Sequence, residues 1–158
     1  MKLLIKIFFI FICSKTFSQN IDCVGSSITY NGYPWYANNL MVANGYTWRV
    51  HDYGVPGAGV VQIPYANTSK YEEVVQRESE IVILLLGVND LEWYANGSQS
   101  TRDIWESEYR ILVETFIKNS RVFLGLLIHR VESIPKQIEE NATLDIMNIV
   151  VNSIAKDY

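Results

Sequence analysis

Two rhythms of apolar and polar residues take turns along this chain. Ile21–Gly25 (IDCVG) is a short apolar run ending at glycine, which predicts a buried strand. Pro34–Asn44 (PWYANNLMVAN) brings Trp35, Leu40, Met41 and Ala43 onto one broad helical face, with Pro34 suited to the first turn and Gly45 to the stop. Thr47–Asp52 predicts a second strand, and the glycine loop Gly54–Gly59 follows it. Ser69–Glu78 is a polar helix candidate, with Ser69 as cap and Glu72 completing a capping box. Glu80–Leu86 (EIVILLL) is apolar on both faces, as a central parallel strand should be. A loop rich in Asn, Gly and Ser comes next. Thr101–Lys118 predicts a long amphipathic helix with Ile104, Tyr109, Leu112, Val113 and Phe116 at helical spacing. Arg121–Ile128 predicts a fourth strand, and Ile138–Lys156 a last helix with Leu144, Met147, Val150, Val151 and Ile154 facing inward.

Strands alternating with helices predict an α/β domain: a parallel sheet covered on both faces, in three α/β/α layers with right-handed crossovers. Ligands of such sheets bind beyond the carboxyl ends of the strands. That rule selects Gly25–Thr29, Asp52–Gly59, Gly87–Asp90 and His129–Val131 as the segments to search for chemistry.

Composition changes this picture at the amino terminus. Lys2 precedes an apolar run, Leu3–Ile12, broken only by Lys6, and Ser14–Gln19 forms a polar exit. The run falls short of the ~20 apolar residues that span a bilayer. Residues 1–19 are therefore expected to be a secretory signal cleaved near Ser18–Gln19, placing the product outside the cytoplasm, secreted or periplasmic. Phe11 and Ile12 before Cys13 argue against a lipid anchor, so no stable membrane anchor is expected. Residues 20–158 are then one domain, whose single cysteine, Cys23, sits in an apolar strand as a buried thiol.

Hydrophobic residues make up 49 % of the chain, enough for a real core. The formal charge is −4, and without Lys2, Lys6 and Lys15 ten basic face seventeen acidic residues. An acidic chain without a basic run is a poor ligand for nucleic acid or anionic membrane.

Three strand-end blocks carry candidate chemistry. Val24-Gly25-Ser26-Ser27-Ile28-Thr29-Tyr30 puts a serine on the turn after the first strand, facing the amides of the next helix. That serine fits a nucleophile or a helix cap equally. Asp52–Gly59 holds three glycines, which let the backbone approach a ligand or simply turn. Leu86-Gly87-Val88-Asn89-Asp90 offers a fixed side-chain amide, or an ordinary Asn-Asp turn.

Taken in order, VGSSITY, YGVPG and LLLGVND resemble the first three blocks of the SGNH (GDSL-type) hydrolases, in detail the bacterial secreted carbohydrate or sialate O-acetylesterases. The resemblance covers about Ile21–Tyr158. It implies a flavodoxin-like fold and hydrolysis of short acyl esters of carbohydrates or small molecules through an acyl-serine, without a cofactor. Carried over residue by residue, it implies Ser27 as nucleophile and an oxyanion hole made of the Ser27 amide, the Gly57 amide and the Asn89 side chain. Ser26 stands where the family has Asp or Asn, Asp52 where Asn is usual and Pro56 where Ser is usual.

The family's closing Asp-x-x-His, which supplies base and orienting acid, does not occur in these 158 residues. By that comparison the sheet is expected to lack its last strand and closing helix, leaving an edge open to self-association. His51 reads as an exposed strand residue, and His129 as a rim or substrate-contacting residue rather than a base. Trp93, Tyr94 and Trp105 suit either stacking on a sugar or packing the loop onto the core. Asn67-Thr68-Ser69, Asn96-Gly97-Ser98 and Asn141-Ala142-Thr143 read as loop or cap residues. Two other classes stay open: a member of the fold with little activity, and a carbohydrate-binding module without turnover.

Overall fold

The computed structural model describes residues 19–77, 79–128 and 135–158, with side chains in the last stretch from Ile138 onward. The expected signal segment up to Ser18 and the rim residue His129 lie outside the described residues.

Four parallel strands form one sheet: β1 (Asn20–Gly25), β2 (Arg49–Gly54), β3 (Ile81–Leu85) and β4 (Arg121–Leu124), in the order β2-β1-β3-β4. The helices described are α1 (Tyr33–Ala43), α2 (Ser69–Arg77), α3 (Leu91–Asn96), α4 (Gln99–Ile117) and α5 (Pro135–Asp157). Parallel neighbours need long crossovers, and the helices supply them. Among the described residues no helix is long and apolar enough to cross a membrane.

The core joins Val24, Val82 and Leu84 of the sheet to Leu112, Val113 and Phe116 of α4 and to Leu144, Met147, Val151 and Ile154 of α5. Val150 is only partly buried. Trp105 is sealed and Ile104 is 50 % exposed, contrary to the expected stripe. The buried set 105, 109, 112, 113 and 116 is a helical row, and Ile104 lies one position, roughly 100°, off it.

Two boundaries and one face also differ from expectation. β2 runs on to Gly54, which pairs with Gly25 of β1. β4 stops at Leu124 because the chain beyond is held differently: Asn148 of α5 accepts from the Leu127 N–H (2.7 Å) and donates to the Leu127 carbonyl (3.0 Å). In α1 only Pro34 is buried, and Trp35 and Leu40 are exposed. The helix is tied to β2 through Asn38, whose side-chain oxygen accepts the Val50 N–H at 3.1 Å.

Local chemistry adjusts two more elements. Thr68, not Ser69, caps α2, its hydroxyl accepting the Tyr71 N–H at 3.2 Å, so no box with Glu72 forms. The expected loop after β3 contains a short helix, α3. Cys23 is free and buried, and burial pushes its thiol up to about 11.

Candidate active site

Gly25 of β1 lies opposite Gly54 of β2 and Leu85 of β3. Ser27, Gly57 and Asn89 follow these three positions within a few residues. Neighbouring strands are ~4.8 Å apart, so three adjacent exits open on one rim.

Ser27 is exposed while Ser26 beside it is sealed. The Ser26 carbonyl accepts the N–H groups of Thr29 (3.1 Å) and Tyr30 (3.0 Å), closing a turn directly after Ser27. Helix α1 begins only at Tyr33. The amides nearest Ser27 along the chain thus belong to this turn, not to a helix N-terminus as expected. A Cβ on Gly25 would run into Thr29, and one on Gly54 into the Tyr30 backbone, so both glycines are required by close approach. Asp52 locks the arrangement. Its carboxylate accepts from the N–H groups of Gly54 (2.8 Å) and Asn31 (2.6 Å), joining the β2 exit to the Ser27 turn.

On the second exit, Val55-Pro56-Gly57-Ala58 is a turn closed by Ala58 N–H to the Val55 carbonyl at 3.1 Å. Gly57 has φ +82°, the left-handed value the third position of a type II turn demands, and Pro56 presets the second. The substitution of Pro56 for the family's Ser is explained by this geometry. Gly57 is exposed, and its N–H has no acceptor among the described residues. Val55 N–H donates to the Gly25 carbonyl (2.9 Å), so this exit rests directly on the first.

Asn89 is exposed and donates one amide hydrogen to the Ala58 carbonyl at 2.8 Å, tying the third exit to the second. The neighbouring Asp90 is fully buried. It accepts the N–H groups of Val60 (2.7 Å), Val61 (3.1 Å) and Gln62 (2.7 Å), and the Trp105 indole N–H at 3.1 Å. A Cβ on Gly59 would collide with this carboxylate. Asp90 therefore fixes the loop after Gly57 from beneath. Neither Asp90 nor Asp52 stands out in the sequence as a support. The one available signal for Asp90 was a carboxylate set between a buried strand and the apolar Leu91.

Of the three aromatics after β3, Tyr94 and Trp105 pack in the core with ring centroids 5.5 Å apart. Trp93 is half-buried and lines a cleft of about 460 Å³ together with Gln62, Asn89, Glu92, Asn96 and Thr101. His51 is partly buried in mid-strand, opposite Asp22, and away from the rim. Its Nε2 lies 2.6 Å from Arg77 and 3.0 Å from Asn20. Burial and then the Arg77 charge hold its pKa below the ordinary imidazole value.

A hydroxyl on one exit, an unengaged backbone N–H on the next and a side-chain amide on the third form a donor set suited to an oxygen acquiring negative charge.

The comparisons agree with this architecture. The acetylxylan esterase Axe2 from Geobacillus stearothermophilus superposes with a TM-score of 0.69 at 21 % identity, over 87 % of this chain and 72 % of that one. A variant of the esterase AlinE4 gives 0.58 at 17 % identity, over 85 % and 73 %. A member of the lipolytic G-D-S-L family from Veillonella parvula gives 0.52 at 20 % identity, over 87 % and 69 %. At these identities the likeness establishes the fold. No curated protein compared with the chain matches it. Residues 23–158 match the family model of the GDSL-like lipases and acylhydrolases. With most of its length inside that match and the sheet order of the fold, the chain belongs to the GDSL-like lipase/acylhydrolase family.

Proposed function

We propose that the chain is a serine ester hydrolase for short acyl esters, acetyl above all, of carbohydrates. The observation that carries this is the set of three linked strand exits. The Ser27 hydroxyl attacks the ester carbonyl, and its proton passes to a base. Negative charge collects on the carbonyl oxygen, where the Ser27 and Gly57 amides and the second amide hydrogen of Asn89 donate. The C–O bond to the alcohol breaks, the alcohol leaves protonated, and water hydrolyses the acyl-serine. One oxyanion donor contributes ~3 kcal/mol to such a transition state.

The base is the open part. His51 is engaged in mid-strand, and among the described residues no histidine stands at the rim. Loss of a triad base lowers turnover by as much as ~10⁶, and the donors alone leave ~10³–10⁴ over water. Where no base reaches Ser27, the second reading applies, a binding protein that keeps the pocket with little turnover. The apolar run near the amino terminus supports an exported product, checked by sequencing the mature terminus, expected near Gln19.

Hydrolysis of a small acetyl ester by the full-length chain, with Ser27→Ala as control, tests the proposal. Turnover abolished by Ser27→Ala is the expected result. Activity equal to the Ser27→Ala background, in a folded protein, would replace the hydrolase by the binding protein.

A further inference from the structure

We infer that the cleft on the Asn89 side of the rim receives the alcohol part of the ester, and that this alcohol is an uncharged, hydroxyl-rich ring rather than an anionic one. The inference rests on the site proposed above and names its substrate class.

Two cavities, of about 390 and 460 Å³, flank Asn89, and both are lined by Asn89, Glu92 and Asn96. The spacing of three and then four residues puts an amide, a carboxylate and an amide in one row along α3 and the turn before it. An amide both donates and accepts, and a carboxylate accepts from two neighbouring hydroxyls at once. Such a row matches the vicinal hydroxyls of a sugar. The larger cavity adds Gln62, Thr101 and the ring of Trp93, an apolar surface for the C–H side of a pyranose. Gln62 is anchored there, because its backbone N–H donates to the buried Asp90.

Charge then chooses among sugars. Glu92 borders both cavities, and Glu139 and Glu140 of α5 border the smaller one. Among the described residues no lysine or arginine lines either of them. A carboxylate on the ligand ~5 Å from Glu92 loses roughly fourfold in affinity in a water-like dielectric.

The probes are methyl glucopyranoside and methyl glucopyranosiduronate, which differ only in one carboxylate. Each is titrated into the full-length chain while the Trp93 indole N–H resonance is followed by NMR, assigned by its loss in Trp93→Phe. Binding alone is read, so failure of the Ser27 chemistry leaves the measurement intact. The neutral sugar should move the Trp93 signal at a several-fold lower concentration than the uronate. The gap should narrow in Glu92→Gln and in ~0.5 M salt, where the screening length falls to a few ångströms. Asn96→Ala should weaken the neutral sugar. Equal or tighter binding of the uronate, no response of Trp93 to either sugar, or a gap unchanged in Glu92→Gln would overturn the inference.

Discussion

At the carboxyl end of the sheet, Asp90 meets four N–H donors, three from the Val60–Gln62 backbone and one from Trp105. At the amino end, Asp22 of β1 is equally sealed but meets one hydroxyl, Ser79 Oγ at 2.5 Å, with the Arg77 Nε 3.5 Å from its other oxygen. Burial raises the Asp22 pKa in spite of Ser79 and Arg77. The contrast concerns what replaces water. Four fixed dipoles aimed at a carboxylate substitute for its hydration shell and turn it into a scaffold. One hydroxyl and a guanidinium at long range leave it a titrating group inside the fold.

The sharpest way to break this contrast is Asp90→Ala. It strands four buried or half-buried donors, and destabilisation on the order of 3–5 kcal/mol is expected in urea unfolding. A loss below ~1 kcal/mol, the worth of a single ordinary hydrogen bond, would mean the Val60–Gln62 loop holds itself.

Gly59→Ala attacks the same contact from the other side. Its new methyl meets the Asp90 carboxylate, and a loss of ~1–3 kcal/mol is expected. In a double-mutant cycle the two losses should fall short of additive, because without Asp90 the methyl meets only the Gln62 carbonyl. Strict additivity would deny the contact.

Asp22→Asn should have the smallest effect and the opposite sign near neutrality. The folded chain holds the Asp22 proton more tightly than the unfolded chain does. That contribution to stability is complete below the ordinary carboxylate range and is lost as pH rises through the raised value. The variant should therefore show a flatter Tm profile from acid to neutral pH, and at neutral pH it should equal or exceed the parent in stability. A profile parallel to that of the parent would assign the slope to other groups.

The same contrast explains what was legible in the sequence. Strand periodicity and glycine punctuation located β1, β3, α4 and α5 to within a few residues, because burial on a sheet or helix face leaves a repeating signature. The three exits carrying Ser27, Gly57 and Asn89 were legible as motifs. Their supports were not. Asp90 acts on the amides of Val60 to Gln62 and Asp52 on that of Asn31, all in other segments, and nothing local to an aspartate reveals such partners. Asn148, which bonds the backbone at Leu127 where β4 was expected to continue, was hidden for the same reason. The exposure of Trp35 and Leu40 on α1 was equally unreadable, since an apolar helix face predicts burial without saying what covers it.

The central claim is that Ser27 is the nucleophile, and the most direct test is reaction of the folded full-length chain with an aryl fluorophosphonate, followed by peptide mass analysis. One adduct on the peptide carrying Ser27, absent from Ser27→Ala, is the predicted result. An adduct on another residue, or none on the folded chain, would contradict it.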